Sequence, residues 1–569
     1  MDSEEIKLTA RKYALQNAVQ FNGTANLKAV AGRVISENRS VSPKEIYQIS
    51  GRVVAEVNKL SLDKQQLELE KLAPELLIKE KKIRDFSLPD LPNAIQGKVV
   101  TRFPPEPNGY LHIGHAKAAI VDFEYAKKYE GQFILRFDDT NPEKDKEEFY
   151  HAQEQDLSWL DISWDKKYHT SDNLEKHYTL ASQLIQQGDG YVCLCDSSEI
   201  KKGRQQKKNC PCRQKSSHDH IALWEKLLSS SLESGIVRLK ADMQSDNTAM
   251  RDPTLFRIIN TPHPLQKDRY HIWPTYDFAG AVEDSVSGVT HPFRTKEYEL
   301  RDEVYFYLLD KLQLRKPHLM EFARLSIDGM PISKRLITPL IEKGLVSGFD
   351  DVRLPTLQGL RRRGIVPKAI KNFVFSQGIS KVESIVPFSL VESENRKVID
   401  ATSKRLYFVP NPHKLIVSNA PEKETTLAFH PSDHSLGNRL VKTMDTFYIS
   451  SEDAENLSIN DVFRLKGLFN VKLEKKNDEL IGSYSGDEVI ADSLKVQWVT
   501  PESKQLIIYK PNLLYINNEF NTESLQEISG RVEQAIHTLQ DGESIQFERF
   551  GFVRIEKKQD SIKGFFTHR

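Results

Sequence analysis

The sequence predicts an α/β protein whose central region, residues 98–335, is a doubly wound parallel sheet covered by helices. Three observations lead to this fold class. In the central region, apolar strands such as Phe133–Phe137 alternate with helical patterns such as Asp172–Gln187. A helical segment precedes that region, and a segment of short alternating strands follows it. Such a sheet binds its ligands at the carboxyl ends of its strands, close to the point where the strand order reverses.

The N-terminal segment, residues 1–97, is predicted to be a helical extension. Apolar residues recur there at the spacing of one helix face, namely Ile46, Ile49, Val53, Val57 and Leu60. Residues 65–80 are rich in Leu, Glu and Lys, which favour helices. The run Ser87–Asn93 contains two prolines and predicts a linker before the first strand of the sheet.

The pattern changes again after the central region. Residues 336–394 are predicted to be mainly helical. Strict alternation of apolar residues predicts strands over 463–473 and 494–498, and an aromatic-rich run predicts another over 545–555. Many short strands separated by turn residues indicate β-barrels in residues 395–569.

The composition indicates a protein that neither spans a membrane nor is secreted. Of the 569 residues, 39% are apolar and 28% are charged, as expected for packed cores beneath a charged surface. No apolar run approaches the length of a membrane span, and the start, Met1-Asp-Ser-Glu-Glu5, has no signal peptide. We therefore expect a cytoplasmic protein without a membrane partner.

The distribution of charge points to local basic patches. The formal net charge is zero, so a polyanionic partner is not held by a global positive field. One patch is the run Arg361–Arg363. The other, called here the insertion patch, contains Lys201, Lys202, Arg204, Lys207, Lys208, Arg213 and Lys215. Charge runs are more often solvated faces than binding sites, but both patches are candidates for contacts with phosphate groups.

The most informative segment is His112-Ile-Gly-His115, which follows a Pro- and Gly-rich turn after the apolar pair Val99-Val100. A helical pattern over residues 118–129 comes next, so the order is strand, turn and helix. Such a turn exposes backbone N–H groups and a helix N-terminus to an anion. Two imidazoles there can donate hydrogen bonds to phosphate oxygens, and Gly114 leaves room for adenine or ribose.

A second short motif, Ile332-Ser-Lys-Arg335, follows about 220 residues later. Gly329 and Pro331 bracket its loop, and Lys334 would supply a mobile cation for a leaving pyrophosphate. Either motif alone is weak evidence, because a histidine pair can begin any core helix and a lysine is usually a surface residue. Together, in this order and context, they indicate the activation of a carboxylate by ATP.

These motifs resemble the HIGH and KMSKS signatures of class I aminoacyl-tRNA synthetases. Four longer segments are similar to the glutamyl/glutaminyl subfamily: Arg102–His115, Arg136–Pro142, Trp273–Phe278 and Gly359–Gly364. The stretches Lys12–Val19 and Ile399–Val409 resemble the archaeal and eukaryotic type of glutamyl enzyme. The chain departs from the family pattern at Pro331, which replaces the first lysine of the second signature and leaves Lys334 to handle phosphate.

The resemblance implies a role for each region. Residues 98–335 would be a class I Rossmann-type catalytic domain, with an acceptor-stem-binding insertion at about 190–265. Residues 336–394 would be a helical region that contacts the tRNA stem, and residues 395–569 would form two anticodon-binding β-barrels. The run Arg361–Arg363 would contact the inner side of the tRNA elbow, and the insertion patch would lie beside the acceptor stem.

The resemblance also assigns residues to the reaction. His112, His115 and Lys334 would be the catalytic residues, and Mg²⁺ would accompany ATP. The full set of ATP-binding positions is Glu106, Pro107, Asn108, His112, Gly114, His115, Thr295, Arg324, Leu325, Ile332, Ser333 and Lys334. The reaction would pass through an aminoacyl-adenylate, from which the amino acid moves to the 3′ end of a tRNA that must bind first.

Four side chains would surround the amino acid: Arg102, Asp138, Tyr276 and Arg294. Asp138 would hold the ammonium group. Arg294 decides the substrate, because a guanidinium meets a carboxylate through two parallel bonds, whereas an amide leaves donors facing donors. Glutaminyl enzymes carry a small neutral residue, typically cysteine, at this position. The resemblance therefore implies L-glutamate, although pairing of Arg294 with Glu297 or Glu299 on the surface is an alternative.

The implied partners are L-glutamate and tRNA(Glu), with tRNA(Gln) left open as a second acceptor, and a monomer is expected. Three other functions stay open at this point. A glutaminyl-tRNA synthetase is disfavoured by Arg294. A small-molecule nucleotidyltransferase would have no use for the basic runs or the β-rich C-terminal third. A non-catalytic tRNA-binding scaffold would not need every phosphate-handling residue.

All four cysteines fall in one segment: Cys193, Cys195, Cys210 and Cys212. Two Cys-x-Cys pairs separated by 14 residues suit a tetrahedral thiolate site for zinc. Disulfides are disfavoured in a reducing cytoplasm. Four thiolates leave no open coordination position, so we expect a structural Zn²⁺ rather than a catalytic one. His218 and His220 lie nearby and are expected to be solvated.

Overall fold

The computed structural model describes residues 3–20, 23–37, 41–73, 76, 88–559 and 561–569. The chain divides into two compact units, Met1–Asp85 and Phe86–Arg569. The described part of the first unit contains the helices α1 (Ser3–Gln20), α2 (Leu27–Glu37), α3 (Pro43–Val57) and α4 (Leu62–Leu72). None of the described helices in either unit is both long and apolar enough to cross a membrane.

Helix α3 contains the predicted apolar face of the first unit. It begins at Pro43, where the missing N–H of proline costs no helical hydrogen bond. Ile46, Val53 and Val57 are buried in the core of this unit, whereas Leu60 lies beyond the end of the helix. The helical pattern predicted over 65–80 is described only in part, because residues 74, 75 and 77–87 lie outside the described residues.

The second unit begins with a three-stranded parallel sheet. Its elements are β1 (Val100–Phe103), α5 (Ile113–Lys128), β2 (Gln132–Phe137), α6 (Glu147–Trp159), β3 (Lys166–His169) and α7 (Leu174–Gln186). The strand order is β1-β2-β3, and Val100 pairs with Gln132. Strand β2 is buried after its first residue, because helices cover the sheet. The predicted strand Phe133–Phe137 is therefore confirmed.

An antiparallel sheet then interrupts the parallel one. The sequence pattern did not distinguish the strands of these two sheets. Its elements are β4 (Gly190–Cys193), α8 (Ser197–Gln205), α9 (Ser217–Leu228), β5 (Ile236–Leu239), β6 (Thr254–Ile258) and β7 (Ile272–Pro274). The strands pair in sequence order, as hairpin-like connections require. Strands β4, β5 and β6 lie within the segment 190–265 that is expected to be the insertion, whereas β7 lies beyond it.

The parallel arrangement resumes after this sheet. The next elements are α10 (Tyr276–Val286), β8 (Phe293–Thr295), α11 (Asp302–Lys311) and β9 (Met320–Phe322). Strands β8 and β9 are parallel, and Arg294 pairs with Glu321. The N–H groups of Thr290 and His291 donate to the carbonyl oxygen of Val100 at 2.9 and 3.2 Å. The segment entering β8 therefore lies beside β1, and the strand order reverses there.

A mainly helical region follows, as predicted for residues 336–394. It comprises β10 (Leu325–Ile327), α12 (Lys334–Glu342), α13 (Leu357–Arg363), α14 (Pro367–Gln377), β11 (Ser384–Val386) and α15 (Ser389–Ile399). Helix α13 begins after Thr356, whose hydroxyl oxygen accepts a hydrogen bond from the N–H of Gly359, and ends at Gly364 with φ of +96°. Only glycine adopts that conformation without strain, so the helix stops there.

The C-terminal region forms two barrel-like sheets. Its elements are β12 (Arg405–Leu406), β13 (Phe408–Pro410), β14 (Pro412–Ser418), β15 (Lys423–Ala428), β16 (Asn438–Thr443), β17 (Thr446–Ser450), α16 (Ser451–Asn456), β18 (Val462–Leu465), β19 (Asn470–Lys476), β20 (Leu480–Tyr484), β21 (Lys495–Val496), β22 (Lys504–Pro511), β23 (Tyr515–Ile516), β24 (Glu519–Phe520), β25 (Leu525–Val532), β26 (Ser544–Phe547), β27 (Gly551–Lys558) and β28 (Ser561–His568).

The strand orders are β17-β14-β20-β19-β18-β21 and β12-β26-β27-β28-β22-β25-β13. The first sheet closes through a bridge between Tyr448 and Val499. In the second, the edge strands β12 and β13 are consecutive in the chain, so the single residue Tyr407 joins the two edges. Phe463, Leu465, Val471 and Leu473 are buried as predicted, but 463–473 is a hairpin of β18 and β19 with Gly467 exposed in its turn. Leu494 is exposed, and 545–555 is likewise a hairpin.

Candidate active site

His112 is the N-cap of α5, at the end of the turn that follows β1. Its Nδ1 accepts hydrogen bonds from the backbone N–H groups of Gly114 and His115 at 3.0 and 3.3 Å. The Nδ1 of His115 accepts from the backbone N–H of His112 at 3.3 Å, and the two ring centroids are 3.7 Å apart. Because both Nδ1 atoms accept, both rings carry their proton on Nε2. Each Nε2–H can therefore donate to a ligand.

Burial keeps both imidazoles neutral. It lowers the pKa of His115 to about 4 and holds the pKa of His112 well below its usual range, and the charge of Arg324 acts in the same direction. Gly114 contacts the His112 ring closely, because an added Cβ would lie 2.9 Å from Cε1 of His112. A side chain at this position would therefore displace that ring. The first motif is thus a neutral pair of hydrogen-bond donors packed onto a helix N-terminus.

Lys334 is the first residue of α12, and its Nζ donates a hydrogen bond to the backbone carbonyl of Asn108. The ammonium also lies 5.0 Å from the centroid of the Phe149 ring. In the loop before it, Gly329 has φ of +65°, and an added Cβ would lie 2.8 Å from the carbonyl oxygen of Tyr515. The second motif therefore contacts the turn of the first, and its loop needs glycine.

The other residues predicted to bind ATP surround this contact. The side chain of Gln153 donates to the carbonyl oxygens of Glu106 and Gly109 at 3.0 and 2.8 Å, which fixes the turn before His112. Arg324 is half exposed and donates to Glu297 at 3.1 Å. Pro107, Leu325 and Ile332 are buried, whereas Thr295 and Ser333 are partly exposed. Their contacts with ATP stay a prediction.

A buried cluster of two arginines and two aspartates lies in the same unit. Asp284 accepts from Nε and Nη2 of Arg102 at 3.0 and 3.2 Å, and from Nη1 of Arg136 at 2.8 Å. Arg136 also donates to both oxygens of Asp138, at 2.7 and 3.3 Å. Although burial acts to raise the pKa of Asp284, the two arginines lower it to about 2. The four charges balance, so the cluster is neutral.

Arg102 is held by this cluster, and its contact with the amino acid stays a prediction. Its Nη1 donates to the carbonyl oxygen of Phe293 at 2.7 Å, so all three guanidinium nitrogens are engaged within the protein. Asp284 therefore meets the charge of Arg102, while Arg136 contacts both Asp284 and Asp138. Asp138 accepts a further hydrogen bond from Thr170 at 2.8 Å and remains 14% exposed, so a ligand ammonium can still reach it.

Arg294, on β8, is the other arginine predicted to contact the amino acid. Its side chain is 5% exposed, lies 4.5 Å from the centroid of the Tyr305 ring, and donates from Nη1 to Asp302 at 3.1 Å. Its Nε is buried and has no hydrogen-bond partner within the described part of the chain. The alternative, a surface pair with Glu297 or Glu299, is wrong, because Arg294 is buried and pairs with Asp302.

Tyr276, the fourth predicted pocket residue, begins α10, and its ring centroid lies 4.8 Å from that of Tyr298. Sequence reasoning missed Asp284 on the same helix. The signal was present, because Glu283-Asp284 interrupts an otherwise apolar run, and buried carboxylates require partners. It also missed Asp302, for which the sequence offers no signal, since acidic residues are common in the first turn of any helix.

The four cysteines meet at one point in the antiparallel sheet. The Sγ atoms of Cys193 and Cys210 are 3.7 Å apart, those of Cys195 and Cys212 are 3.9 Å apart, and all four lie within 4.8 Å of one another. Thiolates at about 2.3 Å from a tetrahedral zinc ion would be about 3.8 Å from each other. The group therefore fits zinc, and it is the sole cluster of this kind among the described residues.

The two nearby histidines differ from each other. His218 is exposed, as predicted. His220 is buried, and its Nδ1 accepts from the backbone N–H of Val192 at 3.3 Å, so its predicted solvation is wrong. It packs beside the ring of Tyr191, with centroids 5.8 Å apart. His220 therefore supports β4, the strand that ends at Cys193.

The three arginines of the run 361–363 also differ in exposure. Arg361 is exposed. Arg362 is half-buried and pairs with Asp350 and Glu556 at 3.0 and 3.2 Å. Arg363 is buried, pairs with Glu392 at 2.6 Å, and lies over the Phe388 ring. The prediction that Arg363 contacts phosphate is therefore corrected, because its guanidinium is enclosed by the protein.

The insertion patch is divided in the same way. Arg213 pairs with Asp252 at 2.8 Å, and Lys207 pairs with Asp246 at 2.7 Å. Arg204 is partly exposed and donates to the carbonyl oxygen of Thr248. The remaining four lysines of the patch are exposed: Lys201, Lys202, Lys208 and Lys215. These lysines are the part of the patch that a phosphate backbone can reach.

A parallel sheet that reverses beside β1, with a histidine-capped turn on one side and a lysine loop on the other, is the arrangement of class I aminoacyl-tRNA synthetases. Sequence comparison leads to the same class. Residues 98–401 match the family described as tRNA synthetases class I (E and Q), catalytic domain. Residues 403–485 and 495–556 match its anti-codon binding domains. The chain belongs to this family.

Curated relatives match over the whole chain. A glutamate–tRNA ligase of Nitrosopumilus maritimus is 45% identical over 100% of both chains. One of Cenarchaeum symbiosum is 42% identical over 99% of this chain and 100% of its own, and one of Pyrococcus furiosus is 38% identical over the same shares. The resemblance to the archaeal type of the family is thereby confirmed.

Proposed function

We propose that this protein is a glutamate–tRNA ligase, which joins L-glutamate to tRNA(Glu). The observation that supports this choice is the buried guanidinium of Arg294, whose Nε has no partner among the described residues. A glutamate γ-carboxylate would supply the acceptor that this Nε lacks, through a charge-assisted bond. The amide of glutamine would bring a neutral group whose own donors face the guanidinium. The names of the curated relatives agree with this choice.

The first step forms glutamyl-adenylate. An oxygen of the glutamate α-carboxylate attacks the α-phosphorus of ATP, and the bond to the bridging oxygen of pyrophosphate breaks. The Nε2–H groups of His112 and His115 would donate to phosphate oxygens as their negative charge increases. Because both rings are neutral, they would act as hydrogen-bond donors rather than as cations. Lys334 would leave the carbonyl of Asn108 and move its charge to the departing pyrophosphate.

Mg²⁺ would enter this step with ATP. The described residues offer no group of three or more carboxylates or histidines that could hold it. Mg²⁺ usually keeps several waters and binds through substrate phosphates, so a protein cage is not required. The ion would neutralise phosphate charge, and the side chains of this protein would position the reactants around it.

The second step transfers glutamate to tRNA. A ribose hydroxyl of the terminal nucleotide, the 2′-OH, attacks the carbonyl carbon of the adenylate, and AMP leaves. No protein nucleophile is needed, so positioning and charge stabilisation account for catalysis. Asp138 would hold the substrate ammonium throughout. Arg361 and the exposed lysines of the insertion patch would contact tRNA phosphates, with tRNA(Gln) as a second candidate acceptor.

The four cysteines would hold one structural zinc ion. Their sulfur separations of 3.7 and 3.9 Å match a tetrahedral site, and four thiolates complete its coordination. Zinc would join the end of β4 to the turn at Cys210 and Cys212. It would thereby fix the sheet beside which the acceptor stem is expected to bind, without taking part in the reaction.

ATP–pyrophosphate exchange tests the proposed function directly. It should be measured with glutamate and with glutamine, each in the presence and absence of tRNA(Glu). Glutamate-dependent exchange that requires tRNA is the expected result. Preference for glutamine would instead identify a glutaminyl enzyme, and exchange with neither amino acid under all four conditions would contradict both assignments.

A further inference from the structure

A chain of four charged residues connects the amino-acid pocket to a surface cavity. Arg294 on β8 donates to Asp302, the first residue of α11, at 3.1 Å. The carboxyl of Asp302 lies within hydrogen-bond reach of Glu321. Glu321 is the backbone neighbour of Arg294 in the register of the parallel strands β8 and β9. Oε2 of Glu321 accepts from the ammonium of Lys381 at 2.6 Å. Charges along the chain thus alternate except where Asp302 meets Glu321.

The contact between these two carboxyls requires a proton. The side chain of Glu321 is 5% exposed, and its Oε1 is buried without a hydrogen-bond donor among the described residues. A hydroxyl on Asp302 would supply the missing donor. Two adjoining carboxylates cannot both stay ionised at low cost. Burial, together with the charges of Glu321 and Glu299, raises the pKa of Asp302 to about 6, although Arg294 opposes the shift.

The position of that proton decides the charge of the pocket. With Asp302 ionised, its carboxylate neutralises Arg294. A substrate carboxylate would then add a negative charge that no positive charge in the pocket balances. With one proton shared between Asp302 and Glu321, Lys381 balances the pair and Arg294 keeps its positive charge. The cluster of Arg102 and Asp284 is neutral in either case. Only the protonated arrangement leaves one positive charge for the γ-carboxylate of glutamate.

We propose that Asp302 is a positioning residue for substrate selection: it orients the Arg294 guanidinium toward the amino acid while sharing one proton with Glu321. The inference rests on the proposed glutamate specificity. Oδ1 of Asp302 holds Nη1 of Arg294, which leaves the buried Nε and the remaining N–H donors for the substrate. Glutamate binding removes the Arg294 charge that stabilises ionised Asp302, so it draws a proton onto this residue.

A cavity gives the acid pair access to solvent protons. Its volume is about 450 Å³, and its lining includes Asp302, Glu321, Phe306 and Lys381. The groups that face Asp302 are Arg294 from β8, Glu321 from β9 and Glu299 from the preceding turn, and Lys316, His318 and Lys381 line the cavity. His318 is the one histidine in this lining, so its replacement is a control for the pH profile.

Replacing Asp302 tests the positioning role. Asp302→Asn imitates the protonated carboxyl, because its amide oxygen can accept from Arg294 while its NH₂ donates to Glu321. At pH 6 we expect its KM for glutamate to stay within about threefold of the unmodified protein, whereas Asp302→Ala should raise KM about tenfold or more at little changed kcat. Glu303→Gln, at an exposed acid of the same helix that does not line the cavity, is the matched control. Equal KM values for glutamate in all three variants would overturn the proposal.

The pH dependence of KM separates this role from a merely structural one. Above pH 6 the unmodified protein must take up a proton to bind glutamate, so KM should rise with pH between 6.5 and 8, by up to about tenfold per unit. Asp302→Asn should abolish this rise, and His318→Gln should retain it. A rise that persists in Asp302→Asn, or vanishes in His318→Gln, would contradict the shared proton.

These outcomes are independent of the test of function. Glutamate-dependent charging of tRNA(Glu) by the unmodified protein establishes the substrate before any variant is made. If that charging fails, the proposed function fails. If it succeeds while the Asp302 variants and the pH profile behave as the controls do, glutamate specificity stands and the role of Asp302 is rejected. Circular dichroism and thermal unfolding of each variant show whether a loss of activity reflects misfolding.

Discussion

Lys334 in the second signature motif donates a hydrogen bond to the backbone carbonyl of Asn108 in the turn of the first. The lysine that is expected to stabilise pyrophosphate therefore lies beside the turn that is expected to bind phosphate. A carbonyl oxygen is a weaker partner for an ammonium group than a phosphate oxygen is. Binding of ATP should accordingly displace this contact and move the charge toward the nucleotide.

Replacing Lys334 with alanine should slow adenylate formation by two to three orders of magnitude. The variant loses a charge that acts mainly in the transition state, for which about 3–4 kcal/mol is typical. Binding of glutamate and tRNA should change little. Pyrophosphate exchange measures the effect, and Lys343→Ala, an exposed change at the end of the same helix, is the control. Normal exchange by the Lys334 variant would refute its role.

Arg294→Cys should raise KM for glutamate about a hundredfold and remove most of the preference over glutamine. Loss of one member of a buried charge pair costs about 3–5 kcal/mol. Because Arg102 is neutralised by Asp284, no second arginine is free to replace it. Arg294→Lys keeps the positive charge but lacks the planar guanidinium, so its KM for glutamate should lie between those of the unmodified protein and Arg294→Cys. The measurement is kcat/KM for both amino acids, and unaltered discrimination would contradict the pocket.

Removal of the thiolates should abolish zinc binding. Purified protein should contain about one zinc ion per chain, and Cys193→Ser or Cys210→Ser should contain almost none. The loosened sheet should lower the affinity for the tRNA acceptor end more than the rate of amino-acid activation. Metal analysis of protein purified without a metal-affinity tag is the test. Zinc-free protein with full charging activity would disprove the site.

Asp284→Asn should destabilise the fold at neutral pH by about 3–5 kcal/mol, because two buried arginines lose a shared counterion. The pKa of Asp284 is about 2 in the folded protein, below its ordinary value of 3.8. Its contribution is therefore complete above about pH 4 and is lost as the pH falls through 2. Urea unfolding at pH 5 and 7 should give the same difference from the unmodified protein. Asp310→Asn serves as control.

The arginine run should show two distinct kinds of effect. Arg361→Ala should weaken tRNA binding and reduce the salt dependence of its affinity by about one phosphate contact. Arg363→Ala should instead lower thermal stability, because Glu392 would lose a buried partner. Titrations at several salt concentrations, alongside unfolding curves, separate the effects. Loss of a salt-dependent contact in Arg363→Ala with normal stability would reverse the assignment.

Local patterns allowed part of this site to be predicted. The residues of each signature lie within four positions, so one turn of chain fixes their relative geometry, as for His112 and His115. The four cysteines lie in two Cys-x-Cys pairs, so each pair is similarly close in sequence. Alternation over 463–473 predicted a strand pattern correctly, because each strand there buries one face and period two records that burial.

Long-range pairings could not be predicted in this way. Asp284 meets Arg102 and Arg136 from positions 182 and 148 residues away, and no local pattern indicates which base an acid will meet. Arg361 and Arg363 look alike in sequence, yet the second is enclosed because the backbone carbonyl of Thr567 accepts from its guanidinium. Such partners emerge only when distant segments pack together.

The balance within the buried cluster restricts how this pocket can evolve. Neutralising any one of Arg102, Arg136, Asp138 or Asp284 strands a charge in the interior, so changes there must occur in compensating pairs. Arg294 makes no hydrogen bond to that cluster, and a mutation at this position should alter substrate preference while leaving the hydrogen bonds of the cluster in place. Amino-acid selectivity in such a lineage would therefore change through single replacements at Arg294 on β8. The residues of the cluster would stay unchanged, because replacing one of them alone would destabilise the fold.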